Sequence, residues 1–153
     1  MLSGTVRIRD AVPADLAVLT LVFRRSSLSN DDDRANLLEH PETLELSDLR
    51  VREGRTRVAI CDERIVGFAT TLDCGTAAEV EDLFVDPDFK RLGFGLALVL
   101  DMVAIARTRG IRRLDVVANP HALAFYSSAG FVDDGVVETR FGHAPRMHLD
   151  IAR

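Results

Sequence analysis

The chain has 153 residues, a length that fits one domain of roughly 100–200 residues. Hydrophobic residues make up 47% and charged residues 28%, proportions that exclude a disordered, collagen-like or coiled-coil chain. The formal net charge is −5 and neither half of the chain is basic, which argues against nucleic acid as the main partner.

The sequence shows no signal for a metal site, a membrane span or secretion. Cys61 and Cys74 have neither CxxC spacing nor a histidine in metal-ligand register, so no metal is predicted. The N-terminus lacks an apolar signal run. The longest apolar stretch, residues 94–106, is interrupted and is shorter than the ~20 residues that span a bilayer. We therefore expect a soluble cytoplasmic protein without a membrane partner.

Seven segments show the alternation or the short apolar runs that are typical of β-strands. Residues 56–61 and 65–72 are joined by Asp62-Glu63-Arg64, which predicts a hairpin. The predicted strands are residues 5–9, 56–61, 65–72, 79–85, 114–118, 131–137 and 147–151.

Helices are predicted where apolar residues recur every three or four positions, as they do from Leu16 to Phe23. Asn119 and Pro120 suit the N-cap and first turn of the last helix, and Gly130 stops it. With two helices before the second strand, the order β-α-α-β-β-β-α-β-α-β-β predicts one α/β domain over residues 1–153, with a mixed sheet. The predicted helices are residues 16–26, 33–39, 96–109 and 120–129, and a further short helix is expected over residues 42–51.

A loop with two glycines lies between a predicted strand and the longest predicted helix. Gly93 and Gly95 would let backbone N–H groups approach a ligand, and the helix N-terminus adds positive potential, so the loop suits a pyrophosphate. Lys90 and Arg91 add two positive charges. The dinucleotide fingerprint is not met because position 98 is Leu98, and no P-loop Gly-Lys-Ser/Thr occurs. Taken alone, two glycines at this spacing are more often a structural turn than a binding site.

Two longer motifs give this loop a context. The first has the form Q/R-x-x-G-x-G/A, with Lys90 in place of Gln or Arg, and the second has the form Asn-x-x-Ala-x-x-Phe-Tyr-x-x-x-Gly-Phe. They are met by Lys90-Arg91-Leu92-Gly93-Phe94-Gly95 and by Asn119, Ala122, Phe125, Tyr126, Gly130 and Phe131. Together with the order of elements, they resemble the GNAT superfamily of acetyl-CoA-dependent N-acetyltransferases. The resemblance implies a GNAT-like mixed sheet that splays between its fourth and fifth strands.

The resemblance also implies acetyl-CoA as the co-substrate. Backbone N–H groups from Arg91 to Leu96 would bind the pyrophosphate, and Asn119 with the following helix would contact the pantetheine. An N–H group of residues 83–85 would hold the thioester carbonyl and the oxyanion formed from it. The implied cofactor-binding residues are Leu83, Phe84, Val85, Lys90, Arg91, Leu92, Gly93, Phe94, Gly95, Leu96, Asn119, Phe125 and Tyr126.

Direct attack by an amine on the thioester needs a base for the amine and an acid for the leaving thiolate. Tyr126, the only tyrosine, falls at the family's general-acid position. Period-two alternation puts Glu79 and Glu81 on one face of their strand. Glu81 is our first choice of base because it is nearer the expected thioester, and Glu79 or a water chain are alternatives. The five acidic residues within residues 79–88 predict either a negative entrance that attracts a cationic amine or an ordinary solvated strand end.

The sequence therefore predicts an acetyl-CoA-dependent N-acetyltransferase that acts on the primary amine of a small molecule. Two alternatives stay open. A protein acetyltransferase acting on lysine or an N-terminal amine would need an open groove for a peptide. A non-catalytic acyl-CoA-binding regulatory module is disfavoured because a pure binder has no need of Tyr126. Family members are often dimers, so a homodimer is a further expectation that composition alone does not decide.

Overall fold

The computed structural model describes residues 6–140 and 142–152, without the side chains of residues 31–33. Its strands form one sheet in the order β1-β2-β3-β4-β5-β7-β6, in which β4 and β5 run parallel. The mixed α/β fold predicted from the sequence is confirmed, while Thr5, the predicted start of β1, lies outside the described residues. The strands are β1 Val6–Asp10, β2 Thr56–Cys61, β3 Arg64–Cys74, β4 Ala77–Val85, β5 Arg113–Val117, β6 Val132–Thr139 and β7 Gly142–Asp150.

The helices follow the sequence prediction except in one segment. The helix expected over residues 42–51 is wrong, because a 3₁₀ turn over Pro41–Leu44 is followed by extended backbone at Glu45 and then by a short helix. The Arg24 Nε donates a hydrogen bond of 3.0 Å to the Leu44 carbonyl, which a continuing helix would need for itself. Across the described residues the helices are α1 Leu16–Ser27, α2 Asp31–Glu39, α3 Leu49–Arg52, α4 Phe94–Thr108 and α5 Leu123–Ser128.

The last strand starts earlier than residue 147, where the sequence predicted it. β7 covers Gly142–Asp150 and contains Pro145, which lacks an N–H group and therefore argues against a strand. In the structure Pro145 lies opposite Val136 in β6, next to a register shift, and its carbonyl accepts a 2.8 Å hydrogen bond from Ala118. The irregular ladder thus accommodates the proline. Arg146, which lies outside the predicted strand, is part of β7.

Packing divides the chain into two compact units. The first comprises the residues up to Thr70 together with Asp82–Leu98, and the second comprises Thr71–Glu81 together with the residues from Val99 onward. The core of the first unit is built from α1, β2 and β3, with the Phe23 and Phe84 rings packed edge to face at 4.9 Å. Its buried apolar residues include Leu19, Val22, Val58, Ile60 and Phe68.

The second unit has an apolar sheet face and a charged one. By register, Ala78 of β4 lies beside Leu114 of β5, and Val80 lies beside Val116, and all four are buried. The parallel register begins with Ala77 opposite Arg113 and its last pair is Val80 with Val116, whereas β4 continues to Val85. The ladder therefore ends close to the end of β5 at Val117, and β4 is the longer of the two strands.

Gly67 in β3 allows a close approach of the β4 backbone within the first unit. A Cβ at this position would lie 2.8 Å from the Phe84 carbonyl oxygen and 3.3 Å from a Val85 methyl group. Such a contact is closer than van der Waals packing permits, so a larger residue here must move the strand. The absence of a side chain at Gly67 thus fixes where residues 84 and 85 lie.

Replacing Gly67 with alanine should lower the free energy of unfolding by about 1–3 kcal/mol, because the added methyl group meets backbone rather than a flexible side chain. Urea denaturation followed by circular dichroism measures this difference. An unchanged unfolding midpoint would contradict the close approach of β3 and β4.

Candidate active site

The glycine loop (residues 90–95) follows a 3₁₀ turn over Pro87–Phe89 and leads into the 15-residue helix α4. Arg91 and Gly93 both have positive φ, at 63° and 90°. This conformation is uncommon for a residue with a side chain, and it turns successive backbone N–H groups toward a common point. A Cβ built on Gly93 would meet open space. The loop therefore combines left-handed backbone with a helix N-terminus, an arrangement that can bind an anion.

A buried carboxylate anchors the chain just before this loop. Asp86 is 3% exposed, accepts a 3.0 Å hydrogen bond from the Asp88 N–H group, and donates its own N–H to the Val66 carbonyl. The Arg25 guanidinium donates to Asp86 at 3.2 Å and to Asp88 at 2.9 Å. Burial by itself would raise the pKa of Asp86, but the Asp88 N–H and Arg25 outweigh it and hold that pKa below its usual value.

The side chains of the loop point in different directions. Phe94 is buried and packs edge-on against Phe89 at 6.0 Å, so only its backbone is available to a ligand. Leu92 and Leu96 are exposed. The Lys90 ammonium donates a 3.0 Å hydrogen bond to the Ser29 hydroxyl at the protein surface. The backbone rather than the apolar side chains is therefore what the loop offers to an anion.

The other predicted residues of the first unit lie at the end of β4. Leu83, Phe84 and Val85 are half-buried. The Phe84 ring packs against Phe68 with 5.6 Å between ring centroids, and its carbonyl lies against Gly67. These three residues and the glycine loop belong to the same compact unit, while Glu81, Asn119, Phe125 and Tyr126 belong to the other.

Tyr126 is a buried residue of α5. The ring packs edge-on between Phe125 at 5.2 Å and Phe131 at 5.1 Å, and the residue is 6% exposed. Within residues 6–140 and 142–152, none hydrogen-bonds to its hydroxyl. Burial raises the pKa of Tyr126 well above its usual value. The hydroxyl is therefore a neutral hydrogen-bond donor at physiological pH.

Asn119 has a structural role that its predicted function does not require. Its side-chain oxygen accepts a 2.9 Å hydrogen bond from the His121 N–H group and caps the 3₁₀ turn over Pro120–Ala122, which leads into α5. The cap fixes the start of the helix that carries Tyr126.

A charged face of the second unit carries Glu79, Arg113, Asp115, Arg146 and His148 on β4, β5 and β7. Register places Glu79 beside Asp115, and Asp115 opposite His148. The Arg146 Nη2 lies 3.8 Å from a carboxylate oxygen of Glu79 and equally far from one of Asp115. Burial raises the pKa of Glu79, Arg146 opposes this, and the charges of Asp115 and Glu81 add to the rise. Glu79 is thus the carboxylate of this face whose affinity for a proton is increased.

Arginines from distant parts of the chain neutralise most of the acidic run at residues 79–88. The Arg50 guanidinium lies 2.8 Å from the buried Asp82 carboxylate. The expected negative entrance is therefore largely a set of ion pairs, which pair Glu79 with Arg146, Asp82 with Arg50, and Asp86 and Asp88 with Arg25. Local charge counts could not predict these three arginines, because they contain no information on partners so far away in the chain.

The described residues contain neither a cluster of metal ligands nor a membrane-spanning helix. Within residues 6–140 and 142–152, no three His, Cys, Asp or Glu side chains come together as metal ligands would. In the same part of the chain no helix is both long and apolar enough to cross a bilayer.

Comparison with known proteins gives the family. A sequence model of the acetyltransferase (GNAT) family matches residues 24–131. A glucosamine 6-phosphate N-acetyltransferase of Trypanosoma brucei brucei is 30% identical over 120 residues, which are 72% of this chain and 76% of that protein. The ribosomal protein bS18 alanine N-acetyltransferase of Salmonella typhimurium is 36% identical over 92 residues, 58% of this chain and 62% of that protein.

A solved structure shows the same fold. The crystal structure of the PaiA N-acetyltransferase of Thermoplasma acidophilum in complex with coenzyme A has a TM-score of 0.76 at 19% identity, and the match covers 95% of this chain and 99% of that one. With the family match over residues 24–131, this establishes that the chain belongs to the GNAT family of acetyltransferases and is an acyltransferase.

Proposed function

We propose that the protein transfers the acetyl group of acetyl-CoA to the primary amine of a small molecule. The observation that carries this proposal is the glycine loop, where left-handed residues at Arg91 and Gly93 precede helix α4 and the space beside Gly93 is open. In the proposal, N–H groups from Arg91 to Leu96 bind the pyrophosphate, and the helix N-terminus and Lys90 supply positive potential. A structural relative that was solved with coenzyme A supports this choice of cofactor.

The proposed reaction is direct attack in a ternary complex. The amine nitrogen forms a bond to the thioester carbon, and an N–H group of the β4 segment at residues 83–85 holds the oxyanion. Collapse of this intermediate breaks the carbon–sulfur bond and leaves a thiolate. Tyr126 gives its hydroxyl proton to that thiolate and takes a proton back from water before the next turnover, and burial keeps the hydroxyl protonated until the thiolate forms. The amine loses its own proton to a base.

The base in this proposal is a carboxylate of β4. Glu81, the first choice from sequence, is half-buried and remains a candidate. Glu79 is favoured by its environment, since burial raises its pKa toward the range in which a carboxylate accepts a proton from an amine. Its nearest cationic group, on Arg146, is at 3.8 Å, beyond hydrogen-bonding distance. Within the described part of the chain, no cation therefore lies within hydrogen-bonding distance of the Glu79 carboxylate.

Tyr126→Phe should reduce kcat by about 10²–10⁴-fold, the usual contribution of a general acid. The free energy of unfolding should change by less than about 0.5 kcal/mol, because the ring keeps its contacts and no described residue hydrogen-bonds to the hydroxyl. Release of CoA under saturating acetyl-CoA and urea denaturation measure the two quantities. Undiminished kcat in a chemistry-limited assay would exclude Tyr126 as the acid.

Glu79→Gln should abolish the fall of kcat at low pH, and Glu81→Gln should retain it. A base works only when ionised, so kcat of the unaltered protein should fall as the pH drops through the raised pKa of Glu79. Glu79→Gln should also lower kcat across the whole pH range.

The pH profile of kcat for both variants measures this. If Glu81→Gln removes the inflection and Glu79→Gln does not, Glu81 is the base. If neither variant alters the profile, the proton leaves through water.

A further inference from the structure

Arg146 carries a guanidinium to which the described residues offer no hydrogen-bond acceptor. Its side chain is 38% exposed, and the guanidinium lies 3.8 Å from the carboxylates of Glu79 and Asp115, both beyond hydrogen-bonding distance. No acceptor among the described residues comes closer. A guanidinium carries five N–H donors in a planar fork that matches a carboxylate. Its donors are therefore available to a ligand.

The position of Arg146 is held by the sheet. It lies on β7 opposite Val117, on the same face as Asp115, and is displaced toward Glu79 on β4. Asp115 is 7% exposed and also forms an ion pair with Arg113 at 3.1 Å. The Asp115 carboxylate is therefore not committed to Arg146 alone. Glu79 and Arg146 thus present one negative and one positive group side by side. Such a pair suits a ligand that is itself a zwitterion.

The spacing of the two unsatisfied groups defines that zwitterion. The Glu79 oxygen and the Arg146 nitrogen are 3.8 Å apart. Standard bond lengths put the amine nitrogen and a carboxylate oxygen of an α-amino acid about 3 Å apart, and somewhat more for a β-amino acid. Such a molecule can place its amine on Glu79 and its carboxylate on Arg146, with each charge next to its opposite.

We propose that the acceptor is a small aminocarboxylate whose carboxylate is bound by Arg146 while its amine faces Glu79. The inference rests on the proposed function and narrows its substrate class. A peptide N-terminus or a lysine side chain has no free carboxylate beside its amine, so it would leave the Arg146 donors unpaired. Arg146 is therefore a specificity-determining residue that favours a small molecule over a protein.

The test compares each amino acid with its carboxamide, which keeps the amine and removes the charge of the carboxylate. Glycine, β-alanine and phenylalanine are paired with glycinamide, β-alaninamide and phenylalaninamide, and ethanolamine is paired with O-phosphoethanolamine. CoA release gives kcat/KM for each, expressed per unprotonated amine because the amides are less basic. The ratio of kcat/KM for an acid to kcat/KM for its amide cancels any effect of a variant on the base, because both compounds use the same base.

The unaltered protein should prefer at least one free amino acid over its amide by about tenfold or more, the effect of a hydrogen bond to a charged group. Arg146→Gln should reduce this preference to less than about threefold through a higher KM for the acid, and Arg146→Lys should restore part of it. Arg113→Gln is the matched control, since it removes an arginine from the same face that does not contact Glu79, and it should keep the preference.

Equal use of acids and amides, a preference that survives Arg146→Gln, or a stronger preference for O-phosphoethanolamine than for any carboxylate would overturn the proposal. Calorimetric titration of the same compounds into the protein saturated with CoA gives the same comparison without turnover. If CoA binds but no aminocarboxylate binds more tightly than its amide, the substrate class is wrong. If CoA itself does not bind, the proposed function is wrong as well.

Discussion

The buried carboxylate of Asp86 determines how β4 passes into the glycine loop. It accepts a hydrogen bond from the Asp88 N–H group and forms an ion pair with Arg25 on α1. A helix early in the chain therefore restrains the entrance of the loop. A restrained entrance allows Arg91 and Gly93 to keep positive φ values, which are uncommon for a residue with a side chain. Backbone N–H groups bind an anion more tightly when they are already ordered in the free protein. The conformational entropy of the loop is then lost on folding and not on binding.

The second unit uses its sheet differently. One face of β4, β5 and β7 is apolar and buried, and the other carries ionised groups that are kept near one another by strand register. Partial burial raises the pKa of Glu79. Arg146 opposes this rise only by its charge, because at 3.8 Å it is too distant for a hydrogen bond. On α5, burial of the Tyr126 ring keeps its hydroxyl neutral. In the proposed reaction, the proton acceptor Glu79 and the proton donor Tyr126 would owe their raised pKa values to one physical cause, the removal of charge-stabilising water.

Features that depend on neighbouring residues could be predicted from the sequence, and features that depend on distant partners could not. Residues 56–61 form β2 as predicted, because alternation and the following turn are local signals. The glycine loop and Tyr126 were found as motifs of fixed spacing. Arg146 was not predicted to lie in a strand, because Pro145 argues against a strand in the first half of β7. The broken helix at Glu45 was missed because its cause, a hydrogen bond from Arg24, comes from α1.

Calorimetric titration with acetyl-CoA tests the central claim, that the glycine loop binds the cofactor's pyrophosphate. The unaltered protein should bind in the micromolar range, and Gly93→Asp should not, because an acidic side chain would enter the open space beside the loop. Gly75→Asp is the matched control, since Gly75 also has positive φ and open surroundings but lies in another turn, and it should bind normally. Absence of binding by the folded protein, or unchanged binding by Gly93→Asp, would contradict the account.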